Sequence, residues 1–316
     1  MNSLVLPVYR NEQSLPDLLE ALDEIEAASP EALEVVFVID GSPDGSAAFL
    51  REHLAGRRFS AKLIELSRNF GSFAAVRVGL TEATGGRIAV MAADLQEPPA
   101  LIVDFFAALS HGNVDVVVGQ REARDDPALS AWGSRIFWAL YRRLIQPDIP
   151  PGGVDVFACT RAVRDELVAL REANSSLVGL LYWTGYRRLA IPYRRAQRQH
   201  GESAWTLGKR LRYLSDSIYS FSDLPIRILL VTGALGLFVS LGLGALVFLT
   251  RVFGEMDVPG YAAVVISMMF FAALNLVGLG ILGSYVWRAF ENTKRRPGAI
   301  VMTSEHFDSR TENPDR

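Results

Sequence analysis

Residues 87–99 read RIAVMAADLQEPP: an apolar run, then an acid, an amide, a second acid and two prolines. The run Arg87–Met91 has the length of a buried strand, and the prolines prevent its continuation. A carboxylate at the carboxyl end of such a strand stands where open α/β sheets hold their ligands. Asp94 and Gln96 lie nearest the strand end, with Glu97 further along. By itself the stretch fits a metal site, a metal site short of one acid, or a bare strand end.

Four similar runs surround it: Ser3–Val8, Glu34–Ile39, Lys62–Leu66 and Asp115–Gly119. Between them Leu15, Leu18, Leu19, Leu22 and Ile25 recur at helical spacing, with Ser14 as the expected N-cap and Pro16 in the first turn. Residues 72–83 and 99–109 predict two more helices. Near-continuous apolar strands alternating with helices predict an α/β fold, its mostly parallel sheet covered on both faces. Three polar stations then follow strand ends: PVYRNE (7–12), DGSPDG (40–45) and ADLQEPP (93–99). Each alone reads as a turn or a helix start. Together they describe a nucleotide-and-metal crevice.

Composition narrows the function classes. A net charge of −3 carries no nucleic-acid-binding signature, and the single cysteine, Cys159, excludes an internal disulfide and fits a reducing compartment. The four histidines are scattered, so any metal is expected to be a hard ion held by oxygens. No signal peptide is expected, and the chain is expected to begin in the cytoplasm. The apolar excess sits in two stretches, 23 uncharged residues from Ile228 to Thr250 and 30 from Val258 to Trp287. Each exceeds the roughly 20 residues that cross a hydrocarbon core, predicting two membrane spans. Lys209, Arg210, Arg212 and Arg227 precede the pair, and Arg288, Lys294, Arg295 and Arg296 follow it. The positive-inside rule therefore puts both ends in the cytoplasm.

Segments 131–145 and 205–224 mix aromatics with arginines, as expected either of helices lying in a membrane interface or of amphipathic helices packed on the sheet. Proximity to the spans favours the interface for the second. From about Thr303 the tail is polar and is expected to be disordered. The expected organisation is a catalytic domain over 1–204, a juxtamembrane amphipathic helix over 205–226, a two-helix transmembrane domain over 227–288, and a cytoplasmic tail over 289–316.

The ordered set PVYRNE, DGSPDG, SRNFG (67–71), ADLQEPP and GQR (119–121) resembles the family 2 glycosyltransferases with a GT-A fold. In particular it is similar to the polyprenyl-phosphate glycosyltransferases, the group of dolichol-phosphate mannose synthase and the bacterial undecaprenyl-phosphate glucosyltransferases. The likeness continues through RQHGESAWTLGKR (198–210), FSDLPIR (221–227), the two spans and ENTKRRPG (291–298). It implies an α/β, Rossmann-like GT-A domain and inverting transfer of a hexose from a UDP- or GDP-sugar to a lipid phosphate at the cytoplasmic face of a bacterial inner membrane. Pro7, Tyr9, Glu12, Asp40 and Ser42 match nucleotide contacts, with Asp40 the acid that reads the base. Asp94 and Gln96 match the holders of Mg²⁺ or Mn²⁺ against the diphosphate. An anionic lipid phosphate needs positioning by cations, a task that Arg121, Arg195 and Arg198 fit, with Ser203 on the same acceptor side. Asp155 in GGVDVFACTR (152–161) matches the family's aspartate and is expected to orient acceptor or sugar or to give weak base assistance. A homo-oligomer is compatible with so small a span bundle.

The chain departs from the family's pattern at four places. Ala92 stands where an acid is usual, Ser72 and Ala204 replace basic residues, and Phe157 replaces an arginine. A scaffold that binds nucleotide or lipid without turnover is the alternative that Ala92 raises. A processive polysaccharide synthase is a further alternative, and the chain lacks the QxxRW pattern expected of one.

Overall fold

The computed structural model describes residues 1–121, 138–139, 141–143, 146–150, 152–172, 175–196, 207–253 and 260–309. Segment 131–145 thus lies largely outside the described residues. The strands are β1 (Asn2–Val8), β2 (Leu33–Ile39), β3 (Ser60–Leu66), β4 (Arg87–Val90), β5 (Val116–Arg121), β6 (Phe157–Thr160), β7 (Arg188–Tyr193) and β8 (Val301–Phe307). They form one sheet in the order β7-β5-β6-β4-β1-β2-β3-β8. β3, β2, β1 and β4 are mutually parallel, and β7 pairs parallel with β5. β6 runs antiparallel between β4 and β5, and β8 runs antiparallel along β3. After β1 the chain builds outward through β2 and β3, then returns to β4 on the other side of β1. That reversal is the topological switch point, where the carboxyl ends of the strands open a crevice.

Residues alternating along each strand feed two cores, because side chains of a pleated strand point to opposite faces. Leu4, Leu6, Val35 and Phe37 pack with α1 (Leu15–Ala28), α2 (Ser46–His53) and α4 (Pro99–Ser110) on one face. Val5, Val36 and Val38 pack with α3 (Ser72–Glu82), α5 (Arg161–Ala169) and α6 (Leu177–Trp183) on the other. Ser14 sits at the N-cap position of α1 but does not cap it. Its hydroxyl points instead to the carbonyls of Asn11 and Ala93, each at 2.9 Å, tying the loop after β1 to the loop after β4.

Gly79 lets α3 approach the sheet: a Cβ there would lie 2.2 Å from Val5 Cγ1 and 3.3 Å from Val38 Cγ2. Gly79→Ala should cost about 1–3 kcal/mol through overpacking, partly offset by alanine's better helix propensity. The expected result is a lower melting temperature. An unchanged melt would mean that this contact is not tight. Cys159 on β6 is fully buried, and burial pushes its thiol up to about 12. Since the thiolate is the reactive form, maleimide should label the native chain only after unfolding. Labelling at the rate of an exposed thiol would refute its burial.

The polar C-terminal segment is the main correction to the sequence reading. Residues 301–307 are a strand, not a disordered tail. Arg51 explains part of the attachment, since its guanidinium bridges Glu65 of β3 and Glu305 of β8.

Two helices, α8 (Leu224–Phe253) and α9 (Tyr261–Thr293), contain windows of mean hydropathy 2.2 and 1.8 and are long and apolar enough to cross a membrane. Their apolar surfaces lie open, with Phe238 77% and Leu276 70% exposed. Helix α7 (Leu207–Phe221) precedes them. Its Tyr213, Leu214, Ile218 and Phe221 pack on the second core, so this apolar face meets protein. On α7, Asp216 pairs with Arg288 of α9 at 2.6 Å, and the Arg288 guanidinium lies 4.9 Å from the Tyr219 ring centroid. The helix thereby joins the domain to the end of the second long helix.

Candidate active site

Two loops make the first wall of the crevice. After β1, the Arg10 N–H donates to Ser42 Oγ at 2.7 Å and the Glu12 N–H donates to Asp44 Oδ2 at 3.1 Å. In return the Gly45 N–H donates to Glu12 Oε2 at 2.8 Å, and Ser42 Oγ donates to Asp44 Oδ1 at 2.6 Å. These bonds fasten PVYRNE to DGSPDG. Gly41 makes the turn possible: its φ is +57°, and a Cβ would fall 2.3 Å from the Arg68 carbonyl carbon. Asp40 is buried, and its two oxygens accept the Phe70 and Gly71 N–H groups at 2.7 and 2.8 Å. Burial raises its carboxyl above the ordinary range, while those two donors pull it down. Asp40 thus holds the SRNFG loop against the crevice. Pro7 and Tyr9 lie half-buried on the same wall.

The second wall contains the opening stretch. Arg10 and Leu95, one in each wall, have φ of +57° and +53°. Non-glycine residues are uncommon there, and such strain gathers at functional loops. The turn brings the Gln96 N–H to 3.4 Å from Asp94 Oδ1. Gln96 is also clasped to the strand end after β7: its carbonyl accepts the Ala196 N–H at 2.9 Å, and its Nε2 donates to the Ala196 carbonyl at 3.2 Å. Its Oε1 accepts from the Arg195 guanidinium.

The strand directions explain why distant residues meet. β5 and β7 end on the same rim as β4, and antiparallel β6 begins there. Asp94 follows β4, Arg121 ends β5, Asp155 precedes β6 and Arg195 follows β7. Arg121 pairs with Asp155, and Arg195 Nη1 lies 3.9 Å from the same carboxylate oxygen. Arg198 and Ser203 lie outside the described residues.

Glu97 is a site residue whose role the sequence did not reveal. It is 1% exposed, and among the described residues none donates a hydrogen bond to either carboxylate oxygen. Arg195 Nε approaches Oε1 at 4.0 Å. Burial, then the Asp94 charge, pushes the Glu97 carboxyl up to about 7 against the pull of Arg195 and Arg121. The only hint in the sequence is an acid directly before two prolines, where the chain must turn inward.

No group of three or more His, Cys, Asp or Glu side chains that could hold a metal occurs among the described residues. With Ala92 in place of an acid, the loop carries a single carboxylate before Gln96. The oxygen donors of Asp94 and Gln96 nevertheless suit a hard divalent cation whose remaining ligands are water and phosphate. A cation already stands on one of them, the Arg195 guanidinium on Gln96 Oε1. By donor chemistry Asp94 and Gln96 suit the ion, with Gln96 Oε1 taken by that guanidinium.

Residues 3–170 match the sequence model of the family described as Glycosyl transferase family 2. The chain belongs to this family. Relatives named as glycosyltransferases align along nearly its whole length. An uncharacterized glycosyltransferase of Bacillus subtilis (strain 168), YkcC, is 31% identical over 98% of this chain and 95% of its own. A prophage bactoprenol glucosyl transferase homolog of Escherichia coli (strain K12) is 30% identical over 95% and 97%. The bactoprenol glucosyl transferase of Shigella phage SfV is 30% identical over 96% and 98%. This family 2 glycosyltransferase therefore combines a GT-A-like sheet with two helices suited to a membrane, as the sequence pattern implied.

Proposed function

We propose that this glycosyltransferase moves a hexose from a nucleoside-diphosphate sugar, UDP-linked rather than GDP-mannose, to a polyprenyl phosphate, inverting the anomeric centre. The observation that carries this reading is a shared rim. Asp94, Arg121, Asp155 and Arg195 gather at one edge of the sheet, and both connections to the apolar helices leave from that edge. The segment after Ala196 leads to α7, and β8 enters beside Leu66 at the carboxyl end of β3. A crevice on that edge opens toward a lipid acceptor. The relatives named bactoprenol glucosyl transferase support both the lipid and a glucosyl donor. Basic flanks on the spans support a cytoplasmic catalytic face. Pairing of β8 with β3 keeps the C-terminal strand on the same side as the sheet.

The chemistry follows from the charges. A lipid monophosphate has a second pKa of about 6, so its oxygen is largely anionic at neutral pH and needs no strong base. That oxygen attacks the anomeric carbon. A C–O bond forms there as the bond to the nucleoside diphosphate breaks, and the diphosphate departs with the electron pair. Arg121 and Arg195 hold the acceptor phosphate against an equally anionic donor, and Asp155 orients Arg121. Tyr9, Glu12, Asp40 and Ser42 shape the nucleotide wall. Asp94 and Gln96 would hold a Mg²⁺ or Mn²⁺ ion, which when bound offsets charge developing on the leaving diphosphate.

The test is transfer by the purified full chain from radiolabelled UDP-glucose or GDP-mannose to undecaprenyl phosphate, with and without Mn²⁺. Metal-dependent label in the lipid fraction from UDP-glucose is expected. Polymer would point to a processive synthase, and the absence of turnover with every donor would favour a binding scaffold.

A further inference from the structure

Three buried acids contrast with one another. Glu34 is surrounded by Ser3, Thr84 and Lys62, and Asp40 receives two backbone N–H groups. Among the described residues Glu97 has no such donors; a guanidinium stands 4.0 Å away, and the Arg121 charge also reaches it. That guanidinium belongs to Arg195, whose three nitrogens face three different groups. Nη2 donates to Gln96 Oε1, Nη1 lies 3.9 Å from Asp155 Oδ2, and Nε lies 4.0 Å from Glu97 Oε1. Only the first of these is an amide oxygen suited to a metal ion.

We propose that the Arg195–Gln96 contact is a latch that couples donor loading to acceptor binding. A divalent cation arriving at Asp94 and Gln96 displaces the guanidinium, which then turns toward the anionic acceptor. The inference rests on the reading of a metal at Asp94 and Gln96. Its physical basis is that a guanidinium and a divalent cation repel strongly when they share one oxygen in a partly buried site. Displacement does not release Arg195 into solvent, because the Glu97 and Asp155 carboxyl groups remain on either side of it. Glu97 acts as the pivot: buried 4.0 Å from the Nε end, it keeps an acid beside that end while the fork changes partner. The Ala196–Gln96 backbone bond keeps the two segments together throughout. Donor side and acceptor side are thus mechanically joined, and occupancy of either favours the other.

Linkage makes this measurable without turnover. Whatever displaces Arg195 from Gln96 must raise acceptor affinity, and the acceptor must raise metal affinity by the same factor. Mn²⁺ binding to the full chain in detergent, read by electron paramagnetic resonance in the presence of UDP, gives one arm. Binding of farnesyl phosphate, read calorimetrically with and without Mn²⁺ and UDP, gives the other. Arg195→Gln should bind Mn²⁺ about tenfold more tightly, the equivalent of one charge-assisted hydrogen bond. It should also lose the metal-induced gain in farnesyl phosphate affinity that the wild type displays. Arg195→Lys keeps a cation without the fork that reaches Gln96, and should gain less. Thermal melts show that each variant is folded. Arg194→Gln removes the exposed neighbouring charge and should leave Mn²⁺ affinity unchanged. Equal gains in Arg194→Gln and Arg195→Gln would reduce the effect to net charge and overturn the latch. If Mn²⁺ binds through Asp94 but Arg195→Gln leaves its affinity unchanged, the latch alone fails. If Mn²⁺ binds neither the wild type nor any variant, the metal reading fails with it.

Discussion

Asp94→Asn should reduce sugar transfer by about 10³-fold or more while leaving the melting temperature close to that of the wild type. The expectation follows from the loop after β4. Ala92 contributes no charge and Gln96 is neutral, so Asp94 is the one anion of the stretch placed for a cation. Asparagine keeps the shape and the acceptor oxygen that the Gln96 N–H approaches at 3.4 Å. What it removes is the charge, so a loss of activity in a folded protein isolates the electrostatic role. Mn²⁺ binding should weaken in parallel. Near-normal turnover would end the assignment of Asp94 and Gln96 to a metal, and the leaving diphosphate would then have to be stabilised by arginine.

Breaking the Arg121–Asp155 pair should have the second-largest effect. The Arg121 side chain is 8% exposed, and it ends β5 facing the acid that precedes β6. Asp155 is 33% exposed and also has Arg195 Nη1 at 3.9 Å, so the pair matters chiefly for the direction in which the mostly buried Arg121 guanidinium points. Asp155→Asn and Arg121→Gln should each lower kcat/KM by about 10²-fold, because the guanidinium loses its aim at the acceptor phosphate. Combined, they should lower it by much less than the product of the single effects, since both changes disable one unit. Independent, multiplicative losses would show that the two residues serve separate steps. Retained activity in Arg121→Gln would move acceptor binding to Arg195 and the segment beyond it.

The parts of this molecule that are legible in its sequence are those that announce themselves locally. β1, β2 and β4 are almost wholly buried runs, β3 and β5 add only a few partly exposed polar residues, and the three loops that follow β1, β2 and β4 carry their own turn and acid signatures. Asp94, Asp40 and Glu12 therefore stand out from the order of residues alone. The spans are legible for the same reason, as long uncharged stretches. What stays hidden depends on contacts between distant residues. β6 and β7 are short, and β7 is mostly solvent-facing, so neither has a clean period. Without them nothing says that Asp155 and Arg195 reach the rim where Asp94 lies. β8 reads VMTSEHF and is largely exposed, as an edge strand can be, so its polarity imitates a tail. The Arg195–Gln96 bond spans 99 residues of chain, and no local pattern encodes it. Glu97 gives no local signal either, because burial of an acid is a property of its surroundings, not of its neighbours in sequence.

β8 also fixes an order of events during biosynthesis. The strand that closes the β3 edge is made after both long helices. Until then β3 presents an unpaired edge, and the sheet is one strand short however well its other strands have assembled. If α8 and α9 span a membrane, as proposed, the strand reaches that edge only when the pair returns the chain to the side from which it left. A chain whose second helix failed to cross would carry residues 301–307 to the wrong side, and its sheet would stay open. In a chain anchored as proposed, closure of the β3 edge therefore follows correct placement of both helices.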